Sequence, residues 1–291
     1  MTTLRTLAQR LTQYDEQEAR SIVRLLLSDC FGISFTDICC GALDKLTAEQ
    51  SATLDSAMKR LEQGEPVQYV TGKAEFYGRT YHVADGVLIP RPETETLIDA
   101  VVHDNAAKQR HAPRILDIGT GSGCIAITLA KEIPMADVAA WDISTQALTI
   151  ARGNAELLGA SVAFREQDML DWRNTPEAKT GCYDIIVSNP PYICQREAEE
   201  MEAHVLEHEP HTALFVPNEE PLLFYKSITE FASNALRENG VLAFEINPLY
   251  AKEMVALLEE HRFINIQIHK DIYEKERVVT ACADSALSGR M

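Results

Sequence analysis

Long apolar runs are absent. Nowhere do the 291 residues approach the ~20 consecutive apolar side chains that a bilayer-spanning helix needs. The stretch Met1–Arg10 lacks the apolar segment and the small-residue cleavage site of a secretory signal, so a cytoplasmic protein is expected. Cysteine is sparse and odd in number: the seven are Cys30, Cys39, Cys40, Cys124, Cys182, Cys194 and Cys282. An odd count without a signal argues against a disulfide framework, and the thiols are read as reduced and mostly buried. No Cys-x-x-Cys pairs with a second cluster or a spaced pair of histidines, so no metal site is expected. Basic charge is also short. The 27 Lys and Arg against 44 Asp and Glu leave a formal net charge of −17. Phosphate neutralisation by Lys and Arg supplies most non-specific nucleic-acid affinity, so stable nucleic-acid binding is not expected, and a protein or small-molecule substrate is favoured.

What is present is enough apolar sequence for a sizeable core, and a length that suggests two domains. Residues 1–73 read as a small helical bundle. Asp15 and Glu18 have capping-box spacing ahead of Ala19, Ile22, Val23, Leu26 and Leu27, and Phe31-Gly32 ends that helix. Thr47 and Gln50 form a second capping box before Leu54, Ala57, Met58 and Leu61, with a stop at Gly64 and Pro66. This bundle carries no catalytic signature and is read as a module that docks a partner. Residues 74–90 suggest a hairpin linker, with Glu75-Phe76-Tyr77-Gly78 followed by Tyr81-His82-Val83. Ile89-Pro90-Arg91-Pro92-Glu93-Thr94-Glu95 then opens a helix through Leu97, Ile98, Val101 and Val102, with carboxylates in the first turn where the helix dipole favours them.

Residues 91–291 form the larger domain, and from residue 113 strands alternate with helices. Strands are expected at Arg114–Ile118, Val138–Asp142, Val162–Glu166, Tyr183–Ser188, Gly240–Ile246, Phe263–His269 and Arg277–Cys282. Helices are expected from Gly123 to Lys131, Gln146 to Leu158, Leu222 to Arg237 and Leu249 to His261. That rhythm predicts an α/β fold: a doubly wound, Rossmann-like, mainly parallel seven-stranded sheet with ligands at the carboxyl ends of its strands. The short polar link Lys270–Glu276 can join only antiparallel neighbours, so one antiparallel strand is expected at the end of the sheet.

The strand Arg114–Ile118 runs directly into Gly119-Thr120-Gly121-Ser122-Gly123 and then an apolar helix. Glycines there let backbone approach a ligand, and the helix start offers free N–H groups. Dinucleotide sites use the same physics, but two acids sharpen the choice. Asp117, in the strand end, would repel a pyrophosphate yet suits an amino-acid ammonium group. Asp142, ending the next strand, is placed to accept from ribose hydroxyls. The combination fits S-adenosylmethionine better than a nicotinamide dinucleotide. After the third strand, Asp168 offers an acceptor for the adenine amino group, and Met169 a side chain to lie along the ring; Trp172 is a second candidate for that cover.

The fourth strand ends in Asn189-Pro190-Pro191-Tyr192, the most specific signal in the chain. Successive prolines stiffen the backbone and leave carbonyl acceptors without N–H donors. The Asn189 side-chain oxygen and the Pro190 carbonyl can then grip the two hydrogens of an –NH2 group, while Tyr192 offers a flat wall for a planar amide or base. An amide nitrogen is a poor nucleophile because its lone pair is delocalised. Two acceptors on its hydrogens hold it in line and stabilise the positive charge that grows during methyl transfer.

These residues resemble the HemK/PrmC family of release factor glutamine methyltransferases, which use the class I S-adenosylmethionine methyltransferase fold. The resemblance spans essentially the whole chain and rests on Pro66-Val67-Gln68-Tyr69, Glu75–Gly78, Ile89–Glu95, Asp117–Gly123, Asn189–Tyr192 and Glu209-Pro210 with Ala213-Leu214. It implies that Gly119–Gly123 and Asp142 bind S-adenosylmethionine, giving S-adenosylhomocysteine as product, and that Asn189–Tyr192 hold the target glutamine. It further implies that the substrate is the Gly-Gly-Gln loop of class 1 peptide chain release factors, docked with help from the N-terminal domain. Arg91 and Glu93 could order the linker rather than touch substrate. The tetrad is shared with DNA adenine methyltransferases, so transfer to the exocyclic amine of adenine in DNA or RNA is the alternative, with the base flipped out to reach the site. The acidic charge and the lack of a basic, aromatic-interleaved tract count against it.

Overall fold

Central strands that are apolar on both faces need helices on both sides of the sheet. The computed structural model has that arrangement, and it describes residues 2–104, 111–179, 181–201 and 203–284. Helices α1 (Leu4–Ala8), α2 (Glu16–Phe31), α3 (Phe35–Cys39), α4 (Ala48–Glu62) and α5 (Val67–Thr71) come first. A hairpin of β1 (Lys73–Phe76) and β2 (Arg79–His82) and helix α6 (Glu95–Val102) follow. The alternating part is β3 (Arg114–Ile118), α7 (Cys124–Glu132), β4 (Asp137–Asp142), α8 (Thr145–Leu158), β5 (Val162–Glu166) and β6 (Tyr183–Ser188). Then come β7 (Ile193–Cys194), α9 (Ala203–His208), α10 (His211–Leu214) and β8 (Phe215–Val216). The chain finishes with α11 (Leu223–Ala235), β9 (Leu236–Glu245), α12 (Ala251–Glu260), β10 (Phe263–Lys270) and β11 (Glu276–Ala283).

The main sheet has seven strands in the order β10-β11-β9-β6-β3-β4-β5. Strands β5, β4, β3, β6 and β9 are parallel to their neighbours in that series, and β11 is antiparallel to both β9 and β10. The antiparallel strand is therefore not the outermost one, as the sequence suggested, but sits one place in. The reason lies in composition. Val278, Val279, Ala281 and Ala283 of β11 are buried and need cover on both faces, whereas β10 exposes Ile264 and Ile268 beside Asn265, Gln267 and Lys270 and tolerates the edge.

Alternation along the strands sorts the core into two layers. Ile115, Ile185, Val187, Val241 and Ala243 face Leu97, Ile98 and Val101 of α6 and Ile125, Ile127 and Leu129 of α7. Leu116, Ile118, Ile186, Leu242 and Phe244 face Tyr225 and Phe231 of α11 and Met254 and Leu258 of α12. Burying a side chain the size of Phe231 stabilises by roughly 1.5–3 kcal/mol.

The chain divides into two compact units: Met1–Ala74 with Val83–Asp85 and Met201–Glu209, and Glu75–His82 with Gly86–Glu200 and Pro210–Met291. In the first, Asp15 caps α2 by accepting from the Glu18 N–H. Gly32, at φ 65°, closes the same helix, with the Ile33 N–H on the Leu27 carbonyl at 3.1 Å. Thr47 and Gln50 make the expected reciprocal box on α4. No disulfide joins the cysteines, but Cys30, Cys39 and Cys40 are exposed and only Cys124 and Cys194 fully buried. The expectation of mostly buried thiols fails because the short α3, which ends at Cys39, buries none of its residues. Among the described residues no helix is long and apolar enough to cross a membrane, and no cluster of His, Cys, Asp and Glu could hold a metal ion.

Two glycines test the packing in opposite directions. A Cβ on Gly123, at φ +83°, would lie 2.9 Å from Ile127 Cδ1 and 3.1 Å from Ala151 Cβ. Exposed Gly153 sits inside α8, where a Cβ meets nothing within 4 Å. In urea unfolding, G123A should lose at least ~1–2 kcal/mol from backbone strain alone, and G153A should gain roughly 0.5–1 kcal/mol. Equal effects of the two substitutions would contradict the left-handed backbone at Gly123.

Candidate active site

The carboxyl ends of β3, β4 and β6 and the turn after β5 converge on one cavity of about 370 Å³. Its wall includes Gly119, Gly121, Asp142, Asp168, Met169, Asn189, Pro190 and Pro191. Asp117, Thr120, Ser122, Gly123 and Tyr192 are not on that wall.

The glycine loop is held by backbone. The N–H groups of Gly119 and Thr120 both donate to the Trp141 carbonyl, at 2.8 and 3.0 Å. Gly119 and Gly121 have φ of 75° and 55°, and a Cβ on either would meet nothing within 4 Å, so the loop presents bare backbone. Asp142 locks this loop to β4: its Oδ2 accepts the Gly121 N–H and its Oδ1 the Ser144 N–H, both at 2.8 Å. Burial raises the Asp142 pKa, and the N–H groups of Ser144, Gly121 and Ile143 oppose that shift. Each carboxylate oxygen still has lone-pair capacity for a ribose hydroxyl.

Asp117 is fully buried, and Thr120 Oγ1 donates to its Oδ2 at 2.6 Å. Oδ1 and the buried Ser122 Oγ have no partner of hydrogen-bond geometry. Desolvation pushes the Asp117 pKa up to about 7, opposed by Thr120 and the Ala126 N–H and reinforced by the Asp142 charge. Asp117 Oδ1 is thus an unpaired buried acceptor that lies off the cavity wall.

At the other side of the loop, the Gln167 N–H donates to the Asp142 carbonyl at 2.9 Å. Asp168 Oδ1 caps the turn that follows by accepting the Leu170 N–H at 2.8 Å. Met169 reaches the cavity wall. Trp172 does not; it packs edge-on against Phe231 in the core, with ring centroids 5.7 Å apart. Ile143 and Leu170 also line the cavity while 60% and 41% exposed, and sequence reasoning passed over both. Large apolar side chains left open to a cavity suit an aromatic ring as ligand.

The tetrad leaves β6 at Ser188, whose Oγ donates to the Ile118 carbonyl at 2.7 Å and so ties the ends of β3 and β6 together. Asn189 Nδ2 donates to Thr94 Oγ1 at 3.4 Å, and Thr94 Oγ1 donates to Glu245 Oε2 at 2.6 Å. The Tyr192 hydroxyl donates to Glu245 Oε1 at 3.0 Å. Its hydroxyl end is desolvated against that carboxylate, which drives the phenol well above its ordinary pKa, while part of the residue reaches solvent. Glu245, at the end of β9, is 1% exposed, and its carbonyl accepts the Tyr225 hydroxyl at 2.9 Å. Desolvation raises its pKa against the pull of Thr94, Tyr192 and Arg277. Neither Glu245 nor Thr94 was assigned a role from sequence. One signal was available: a glutamate inside the apolar run Val241-Leu242-Ala243-Phe244-Glu245-Ile246. Arg91 and Glu93 are not on the wall, and Glu95 orders the hairpin by accepting the Tyr77 N–H at 2.7 Å. Pro210, Thr212, Ala213 and Phe215 also line the cavity.

The Asp117 carboxyl gives a pH test. Its pKa rises from 3.8 unfolded to about 7 folded, so between those values the unfolded chain binds fewer protons. That contribution to stability is complete below pH 4 and is lost as pH rises through about 7. D117N should be more stable than wild type at pH 8, by at most on the order of 4 kcal/mol, with the difference vanishing toward pH 4. Parallel urea midpoints across that range would contradict the burial of an ionisable carboxyl here.

The chain matches two family models. "Methyltransferase small domain" covers residues 94–215, and "PrmC N-terminal domain" covers residues 2–72. A release factor glutamine methyltransferase of Bacteroides thetaiotaomicron is 47% identical over 92% of this chain and 94% of its own length. Its counterpart in Flavobacterium psychrophilum is 40% identical over 91% and 92%. Among solved structures, a 16S rRNA methyltransferase of T. thermophilus superposes with a TM-score of 0.53 at 22% identity, covering 72% of this chain and 49% of that one. The sheet is thus the class I methyltransferase fold. By identity and coverage, the chain belongs to the release factor glutamine methyltransferase family.

Proposed function

We propose that this enzyme transfers the methyl group of S-adenosylmethionine to the side-chain amide nitrogen of the glutamine in the Gly-Gly-Gln motif of class 1 release factors. The observation that carries this reading is one cavity with Asp142 and the bare glycine loop at one part of its wall and Asn189, Pro190 and Pro191 at another. The relatives' names supply the release factor and its glutamine. When bound, S-adenosylmethionine supplies an electrophilic sulfonium methyl. Asp142 and the loop backbone hold the nucleoside and amino-acid parts, and Ile143, Met169 and Leu170 offer an apolar wall to the adenine. On the acceptor side, Asn189 Oδ1 and the Pro190 carbonyl take the two amide hydrogens and aim the nitrogen. Transfer would form the nitrogen–methyl bond as the sulfur–methyl bond breaks, with Asn189 Oδ1 and the Pro190 carbonyl holding the nitrogen in line and the extra proton passing from the nitrogen to water afterwards. Two fixed acceptors stabilise the charge that develops on nitrogen without reorganising at that moment.

The N-terminal unit, matched over residues 2–72, serves to dock the release factor. The enzyme acts where translation terminates, in the cytoplasm. No observation favours adenine as acceptor, and the net charge of −17 disfavours a polyanionic substrate.

Mass spectrometry of a purified release factor after incubation with the enzyme and S-adenosylmethionine tests the reading. One added methyl on the glutamine of the Gly-Gly-Gln peptide is expected; methyl on DNA or RNA adenine instead would overturn it. N189A should lower the transfer rate about 100-fold while cofactor affinity stays nearly intact. D142A should weaken cofactor affinity about tenfold or more. Normal turnover in N189A, or unchanged affinity in D142A, would remove that residue from its role.

A further inference from the structure

Asn189 is asked to present an acceptor, yet a carboxamide can sit either way round. Its oxygen and its NH2 are nearly isosteric, and only hydrogen bonding chooses between them. We propose that Glu245 is a positioning residue that makes this choice through Thr94, so that the Asn189 oxygen rather than its NH2 faces the substrate amide.

Proton direction carries the argument, which rests on the methyltransferase reading above. An ionised carboxylate only accepts. Both Glu245 oxygens are taken by hydroxyls: Oε2 by Thr94 at 2.6 Å and Oε1 by Tyr192 at 3.0 Å. Thr94 has a single hydroxyl proton, and it is committed to Glu245. Toward Asn189 the Thr94 oxygen therefore accepts, and Asn189 must offer Nδ2, the contact found at 3.4 Å. With the nitrogen held there, Oδ1 occupies the other branch of the amide. The flipped amide would set its oxygen against a hydroxyl with no proton left to give. Burial raises the Glu245 pKa and Glu93 adds to the shift, while the Thr94 and Tyr192 hydroxyls and then the Arg277 charge oppose it; a hydroxyl donor on each oxygen is what favours the carboxylate form here, and the Tyr225 hydroxyl is spent on the Glu245 carbonyl. The charge of Glu245 does not reach substrate; it fixes the polarity of a short hydrogen-bond chain that ends on Asn189.

Glutamine at 245 keeps volume and hydrogen-bonding capacity but adds an NH2 that can donate to Thr94. That frees the Thr94 proton for Asn189 Oδ1 and lets the amide turn over. E245Q and T94V should each lower kcat about 30-fold or more, with S-adenosylmethionine affinity within about twofold of wild type. T94S keeps the hydroxyl and should recover most of the rate lost in T94V. A merely space-filling Glu245 would be replaced by glutamine without loss. In side-chain amide NMR spectra of the full chain with labelled asparagine, the Asn189 pair is identified by its disappearance in N189A. That pair should shift and exchange faster with water in T94V and E245Q, but not in T94S. Wild-type turnover in E245Q, a T94S as slow as T94V, or Asn189 signals unmoved by both T94V and E245Q would each overturn the proposal. If wild-type enzyme leaves the release factor unmethylated, the functional reading alone falls, and the amide spectra decide the part played by Glu245.

Discussion

A carboxylate removed from water must be hydrogen-bonded on both oxygens or become protonated, and Glu245 at the end of β9 is bonded on both. Its partners come from segments far apart in the chain. Thr94 belongs to the proline-punctuated turn before α6, and Tyr192 closes the tetrad after β6. The Glu245 carboxylate thus fastens two otherwise irregular stretches of backbone to a buried strand of the sheet. Irregular segments carry no ladder of their own, so their rigidity has to be supplied by contacts of this kind. Asn189, bonded to Thr94, is tied to that group through one intervening hydroxyl.

The glycine loop is held by the same device in another place. Asp142 ends β4 and accepts one N–H from the glycine loop and one from the start of α8, so the loop, the strand and the helix are referred to one carboxylate. Ser188 ties β6 to β3. Parallel neighbours bring the ends of β4, β3 and β6 side by side, and the ends of strands at that edge are where open α/β sheets place their ligands. The residues proposed for cofactor and acceptor therefore share one cavity because the strands that carry them are adjacent, and one buried and one half-buried carboxylate hold their loops.

Much of this was legible in the sequence. β3, β5 and β6 lie at their expected bounds, and β3 and β6 do so as short, largely apolar runs ended by turn or polar residues. The glycine loop and the tetrad could be read because their residue types have few structural uses at a strand end. What stayed hidden involved partners distant in sequence. Glu245 looks like a strand residue until Thr94 and Tyr192 close on it, and only its charge within an apolar run hinted otherwise. The sequence alone offers Tyr192 as a wall for the substrate, yet its hydroxyl is engaged by Glu245 and it is not on the cavity wall. Met169 and Trp172 could not be separated by spacing alone; packing against Phe231 assigns Trp172 to the core. Strand order beyond β9 depends on which of two strands tolerates the edge, a comparison that needs both faces of each.

The most direct test of the account is a crystal structure with S-adenosylhomocysteine and a peptide carrying the Gly-Gly-Gln motif. The glutamine nitrogen is predicted at hydrogen-bond distance, about 3 Å, from both Asn189 Oδ1 and the Pro190 carbonyl oxygen, with Asn189 Nδ2 still on Thr94. A glutamine whose carboxamide oxygen faces Asn189, or one bound away from the tetrad, would contradict it.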